Sequence, residues 1–166
     1  MSVCFTVKGV DELRTIAQIH QSFISSENPE SVYVLYGKRG PGTGYISHSV
    51  LVHNSHPEPL DGFQVRRHDL DEASAHLLTA EPALVPLGVI HTHEDAALPA
   101  PSDADVREIV PGYIHLVLCP RYKTYVVYDQ SGELDQYQLT DHDLVNRQGE
   151  SLCLKMFDTT TEGSDT

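Results

Sequence analysis

Apolar residues recur at intervals of three and four along the first part of the chain. From Val10 to Ile24 these positions share one helical face, and Asp11 and Glu12 suit the positive end of a helix dipole. A polar, proline-containing segment then breaks the pattern. The sequence therefore predicts an amphipathic helix over residues 10–24.

Shorter runs rich in β-branched and aromatic residues follow, separated by glycine- and proline-containing turns. Two further segments, 71–80 and 102–110, have the composition of helices. This pattern predicts an α+β fold with a mixed, mostly antiparallel sheet flanked by helices. The predicted strands are 32–36, 45–53, 63–67, 84–90, 113–119, 124–128 and, as a further candidate, 134–139.

The chain has 166 residues, of which 40% are hydrophobic, which suits one compact domain. We expect this domain over residues 1–157 and a polar, flexible tail over 158–166. No run approaches the roughly 18 apolar residues that a membrane span needs, and the first residues do not resemble a leader peptide. These features predict a cytoplasmic protein without a membrane partner.

The net charge limits the classes of partner, and the cysteines indicate the redox state of the thiols. Twenty-four acidic residues against eleven basic ones give a net charge of −13, which opposes binding to nucleic acid. The same excess is compatible with a basic protein partner or with a halophilic host. Three widely separated cysteines without a C-x-x-C pair predict reduced thiols rather than disulfides.

A candidate metal site follows the strand predicted over 84–90. His91 and His93 stand two residues apart on an extended segment, so their side chains point to the same face. Asp105 follows His93 by twelve residues and can return through a loop as a third ligand. Three such ligands suit one Zn²⁺ ion and leave a fourth position open, as catalytic zinc sites require.

Hydrolysis at such a site also needs a general base and a donor for the oxyanion. Glu30, at the start of the strand over 32–36, is the candidate base, and the Ser102 hydroxyl is the candidate donor. Nearby carboxylates leave alternatives open. Glu27, Glu94 and Asp95 are rivals for the base, and Asp103 is a rival ligand.

Each part of this pattern also has a simpler interpretation. Two histidines at this spacing occur by chance on polar strand ends. Ser102 and Asp105 also form a Ser-x-x-Asp pattern that resembles a helix capping box, which taken alone is the preferred interpretation. The combination is more specific than its parts.

The combined motif resembles the signature of the JAMM/MPN+ zinc metallopeptidases. Gly88-Val-Ile-His-Thr-His93 followed by Pro101-Ser-Asp-Ala-Asp105 is similar to the family pattern of His-x-His, a short loop and Ser-x-x-Asp. Asn28-Pro29-Glu30, before an apolar run that ends at Gly37, is similar to the family segment that carries the catalytic glutamate. The resemblance covers roughly residues 10–130.

Three features of the sequence depart from the family pattern. Glu94 stands where a proline usually follows the second histidine, and Val32-Tyr33 stands where Cys-Gly is usual. The loop between His93 and Ser102 is about one residue longer than in many relatives.

The resemblance implies a cytidine-deaminase-like MPN fold and one zinc ion held by His91, His93 and Asp105. It implies hydrolysis of the amide bond after the C-terminal Gly-Gly of a ubiquitin-like or sulfur-carrier protein, with Glu30 as base and Ser102 as oxyanion donor. Two alternatives stay open. One is a catalytically inactive MPN-type scaffold that binds a partner protein, and the other is a zinc hydrolase of another peptide or small amide.

Overall fold

The computed structural model describes residues 2–21, 30–57, 62–93, 101, 105, 107–129, 131–140, 143–150 and 155–158. No helix in these ranges is long and apolar enough to cross a membrane. In chain order the elements are β1 (Ser2–Phe5), α1 (Val7–Gln21), β2 (Val32–Gly40), β3 (Thr43–Val52), α2 (Arg67–Ala80), β4 (Val85–Thr92), β5 (Ile114–Cys119), β6 (Thr124–Asp129), β7 (Gly132–Leu139), β8 (Leu144–Val145) and β9 (Lys155–Asp158).

The strands of the described residues form a single mixed sheet. Its order is β8-β7-β6-β5-β4-β2-β3-β1-β9. Two of the eight neighbouring pairs are parallel, β1 with β3 and β4 with β5, and the other six are antiparallel. The predicted α+β class with a mixed, mostly antiparallel sheet is confirmed.

The two helices cover opposite faces of this sheet. Successive residues of a strand point to opposite faces, and Leu35 packs in the cluster that includes α1 while Val34 packs in the cluster with α2. The apolar stripe that α1 buries contains Val10, Leu13, Ile16 and Ala17. The α2 side is less completely buried, and its packing residues include Leu70, Ala73, Leu77 and Leu78.

Helix α1 begins three residues before the predicted start, because a capping residue precedes it. The Thr6 hydroxyl accepts a hydrogen bond from the Gly9 amide at 3.0 Å, and the Thr6 carbonyl accepts one from Val10 at 2.9 Å. Val7 is 70% exposed and does not contribute to the apolar stripe. The spacing of apolar residues therefore predicted the buried face of the helix but not its first turn.

The strand predicted over residues 63–67 is wrong. Residues 62–66 form neither helix nor strand, and α2 already begins at Arg67 rather than at the predicted Asp71. The backbone there pairs locally, since the Ser55 amide donates to the Gln64 carbonyl at 3.0 Å.

Other predicted elements agree with the structure to within a few residues, and three short strands were missed, namely β1, β8 and β9. The helix predicted over 102–110 lies partly outside the described residues. Asp105 and Arg107 are helical, and the chain has left the helix by Ile109. Asp158 ends β9, while residues 159–166 of the predicted tail lie outside the described residues.

Candidate metal centre

The candidate centre lies where β4 ends and β2 begins. His91 pairs with Val32 of β2 on one side and with Val117 of β5 on the other, so it sits between two neighbouring strands. The His93 amide donates to the Leu118 carbonyl at 2.9 Å and extends the pairing with β5. The sheet thereby holds the backbone of both histidines.

Three side chains converge on the α2 face of this strand end. Nε2 of His91 lies 3.1 Å from Nε2 of His93, and Oδ2 of Asp105 lies 3.1 Å from the first nitrogen and 3.3 Å from the second. The side chain of His91 is fully buried, that of Asp105 is 2% exposed and that of His93 is 13% exposed. The side chains of His91 and Asp105 are therefore closed to water, while that of His93 is partly exposed.

The close contact between His91 and Asp105 is not explained by an ion pair. Burial lowers the pKa of His91, while the hydrogen bond and the negative charge of Asp105 raise it to a lesser extent. The net direction is downward, so the imidazole is neutral at neutral pH. A neutral imidazole carries one hydrogen, so Nε2 donates at most one hydrogen bond, while two polar atoms, Oδ2 of Asp105 and Nε2 of His93, each lie 3.1 Å from it.

This arrangement fits a metal ion. A divalent cation placed among these three atoms accepts a lone pair from each of them. Ligands at about 2.0–2.1 Å from zinc in a tetrahedron lie about 3.3 Å apart, close to the three distances measured here. Two imidazoles and one carboxylate are also a donor set that suits a borderline divalent ion.

Glu30 completes the group. One carboxylate oxygen of Glu30 and one ligand atom each from His91, His93 and Asp105 all lie within 4.8 Å of one another. Glu30 stands two residues before β2, next to Ser31, and its neighbour is fixed to the histidine segment. The Ser31 amide donates to Oγ1 of Thr92 at 2.9 Å, and the Thr92 amide donates to the Ser31 carbonyl at 3.0 Å.

Two aromatic residues that the sequence did not single out for the site enclose His91. The Phe63 ring stacks on its imidazole with 4.4 Å between ring centroids and 22° between planes. The Tyr128 hydroxyl lies 3.5 Å from Nδ1 of His91. In the sequence, Phe63 and Tyr128 stood out only as residues of the strands predicted over 63–67 and 124–128.

The sequence-predicted residues fall into two groups. The structure brings Glu30, His91, His93 and Asp105 together, as the motif required, into a group that could hold a metal ion. The other predicted residue, Ser102, lies outside the described residues. The same holds for the rivals Glu27, Glu94, Asp95 and Asp103.

Comparison with known proteins gives similarity in structure only. No model of a known protein family and no curated protein matches the sequence. The chain is similar in structure to protein DSY2949 from Desulfitobacterium hafniense, with a TM-score of 0.54 and 17% identity, covering 83% of this chain and 91% of that one. It is also similar to AF2198, described as a JAB1/MPN domain protein from Archaeoglobus fulgidus, with a TM-score of 0.46 and 16% identity, covering 80% and 94%. Identities this low concern the fold and not the activity.

Proposed function

We propose that this protein is a zinc-dependent peptidase of the JAMM/MPN+ type. The observation that carries the proposal is the convergence of His91, His93 and Asp105 at 3.1–3.3 Å with the Glu30 carboxylate beside them. These residues occur in the order and spacing of the family motif. The family assignment therefore rests on the motif and on the geometry together.

The proposed ligands of the ion are His91, His93 and Asp105. When bound, zinc supplies Lewis acidity, which polarises an amide carbonyl and acidifies water. Glu30 takes the proton from the attacking water and passes it to the nitrogen of the breaking C–N bond, so the products are a carboxylic acid and an amine. Ser102 is proposed to donate a hydrogen bond to the developing oxyanion.

The proposed substrate is an amide bond that follows the C-terminal Gly-Gly of a ubiquitin-like or sulfur-carrier protein. The resemblance to the JAMM/MPN+ family supports this choice, because small standalone members typically act on such tails. An extended Gly-Gly segment has no side chains and therefore suits a centre that is largely buried. We also propose a cytoplasmic location.

The experiment measures metal content and cleavage together. Purified protein is expected to bind one equivalent of zinc and to cleave a fusion with a ubiquitin-like Gly-Gly terminus. His91→Ala is expected to lose zinc and cleavage, and Glu30→Gln is expected to keep zinc while kcat falls at least a hundredfold. His76→Ala and Glu72→Gln change exposed residues of α2 and serve as matched controls.

The possible outcomes distinguish the proposed peptidase from a metal-free scaffold and from a zinc hydrolase of another substrate. Full cleavage by His91→Ala or by Glu30→Gln would contradict the proposed chemistry. A protein that binds no zinc would instead support the metal-free scaffold. Zinc binding without cleavage of the Gly-Gly fusion, but with cleavage of other peptides or small amides, would support a zinc hydrolase of a different substrate.

A further inference from the structure

Asn54 makes four hydrogen bonds close to the candidate centre. It follows β3, and its Nδ2 donates to the Glu30 carbonyl and to the Gly62 carbonyl, each at 2.9 Å. Its Oδ1 accepts from the His56 amide at 3.1 Å and from the Gln64 amide at 3.0 Å. One side chain thus joins the segment of the candidate base to the loop after β3.

These four bonds use every hydrogen-bonding position of the carboxamide. The amide nitrogen has two hydrogens and both face carbonyl oxygens, while the oxygen has two lone pairs and both face amide hydrogens. The opposite orientation of the carboxamide would place donors against donors. Aspartate has the same shape but no donor, so only asparagine at this position satisfies all four groups.

The bonds of Asn54 act on two parts of the centre at once. Glu30 lies outside the sheet ladder, whose described pairing with β4 begins at Val32, so its carbonyl depends on a partner other than a neighbouring strand. Gly62 and Gln64 flank Phe63, which stacks on the His91 ring. Asn54 therefore connects the backbone of the base to the residue that covers a ligand.

A second tether holds the other side of Glu30. The two hydrogen bonds between Ser31 and Thr92 attach the residue after Glu30 to the segment between the two histidines. Asn54 attaches Glu30 itself from the β3 side. The peptide is held from both directions, which limits how far the carboxylate can move.

We propose that Asn54 is a positioning residue that fixes Glu30 for proton transfer, and this inference rests on the proposed function of Glu30 as base. Proton transfer requires the carboxylate within hydrogen-bond reach of the attacking water, and a displacement of about 1 Å costs up to a hundredfold in rate. The ligands His91, His93 and Asp105 make no hydrogen bond to Asn54 in the described residues. Loss of Asn54 should therefore affect the base more than the metal.

The test uses Asn54→Ala and Asn54→Asp in the full chain. Asp keeps the two acceptor bonds and removes the two donor bonds, including the one to Glu30. Both variants are expected to bind one equivalent of zinc. On the Gly-Gly fusion, kcat is expected to fall ten- to a hundredfold, with KM changed less than about threefold.

Asn146 provides the matched control. It is 8% exposed, its Nδ2 donates to Asp135 and Glu150, and its Oδ1 accepts from the amides of Gln148 and Glu150. None of these residues belongs to the candidate centre. Asn146→Ala and Asn146→Asp are expected to lower Tm to a similar degree without changing kcat.

Hydrogen exchange gives a readout that needs neither metal nor substrate. In the metal-free protein the Ser31 amide, which donates to Thr92, is expected to exchange at least tenfold faster in both Asn54 variants than in the Asn146 variants. If the wild-type protein cleaves nothing, the proposed function fails and this measurement alone decides whether Asn54 fixes the segment.

Three results would overturn the inference. The first is unchanged kcat in both Asn54 variants of an active enzyme. The second is a Ser31 exchange rate equal to that of the Asn146 variants. The third is loss of zinc from both Asn54 variants while Glu30→Gln keeps it, because Asn54 would then support the ligands rather than the base.

Discussion

The Phe63 ring lies flat against the imidazole of His91, with 4.4 Å between centroids and 22° between planes. Phe63 is 6% exposed and comes from a segment without regular structure, yet it covers the buried His91 of the candidate centre. The contact restricts rotation of the imidazole about the axis that would carry Nε2 away from His93 and Asp105. Loss of this contact should therefore lower the affinity of the centre for a metal ion.

Phe63→Leu is expected to weaken zinc binding about tenfold, because leucine keeps the site apolar but provides no flat surface for the imidazole. The measurement is a competition titration against a chelator of known affinity. Phe5→Leu changes a phenylalanine that is 1% exposed and packs in the α1 cluster. The Phe5→Leu control should lose stability and keep its zinc affinity. Equal zinc affinities for the wild-type protein, Phe63→Leu and Phe5→Leu would contradict the prediction.

Tyr128 offers a partner to the other nitrogen of His91. With Nε2 bound to a metal ion, Nδ1 would carry the hydrogen and face the Tyr128 hydroxyl oxygen, which lies 3.5 Å away, a long distance for a hydrogen bond. Burial raises the pKa of Tyr128, and the charges of Asp105 and Glu30 raise it further, so the hydroxyl stays protonated.

Tyr128→Phe is expected to lower zinc affinity about tenfold, since the ring orientation and tautomer of His91 lose their support. Tyr125→Phe is the control, because its hydroxyl donates to the Leu13 carbonyl on the opposite face of the sheet. The same chelator competition measures both. A Tyr128→Phe protein with wild-type affinity would show that the hydroxyl has no such role.

His115 makes stability depend on pH. Its Nε2 accepts a hydrogen bond from the Val110 amide at 3.0 Å, and burial lowers its pKa from 6.5 to about 4. Between these two values the unfolded chain binds a proton that the folded chain does not. The contribution of neutral His115 to the free energy of unfolding is therefore complete above pH 6.5. It is lost as the pH falls towards 4, at up to about 1.4 kcal/mol per pH unit.

His115→Gln is expected to remove this slope, because glutamine can accept the Val110 hydrogen bond and does not titrate. Urea unfolding of metal-free protein at several pH values from 4 to 7 measures it. Other groups titrate in both proteins, so the difference between the two curves isolates His115. Parallel curves would refute the assignment.

Gly88, three residues before His91, allows β4 and β5 to pack closely against each other. A Cβ built on Gly88 would lie 2.6 Å from Cγ2 and 2.8 Å from the carbonyl oxygen of Ile114, its partner on β5. Gly88→Ala must therefore displace backbone and is expected to cost about 1–3 kcal/mol of unfolding free energy. At Gly40 the closest atom belongs to the Tyr45 side chain at 3.2 Å, so Gly40→Ala should cost less. Equal losses by chemical denaturation would contradict this.

Local patterns were sufficient for much of the fold. The three- and four-residue interval of α1 and the β-branched runs of β2, β4, β5 and β6 predicted elements that the structure confirms, because burial imposes those periods on the sequence. The missed strands β1, β8 and β9 have only two to four residues. Too few residues carry the alternating pattern there, and their pairing depends on distant neighbours.

The wrong strand over residues 63–67 has a related cause. Its composition suits a strand, but β-propensity reflects packing on neighbouring strands, and no strand of the described sheet lies beside it. Its backbone groups bond instead to Asn54 and Ser55.

The sequence by itself determined which side chains can bind a metal. The two-residue interval of His91 and His93 places both on one face, and the following Asp105 supplies a carboxylate with the motif spacing. Only the tertiary structure decided that Glu30 lies beside them, because that proximity comes from the pairing of β2 with β4 across sixty residues of chain. The loop after β3 brought in Asn54 and Phe63, and the pairing of β5 with β4 and with β6 brought in Tyr128. No local pattern of the sequence records these contacts.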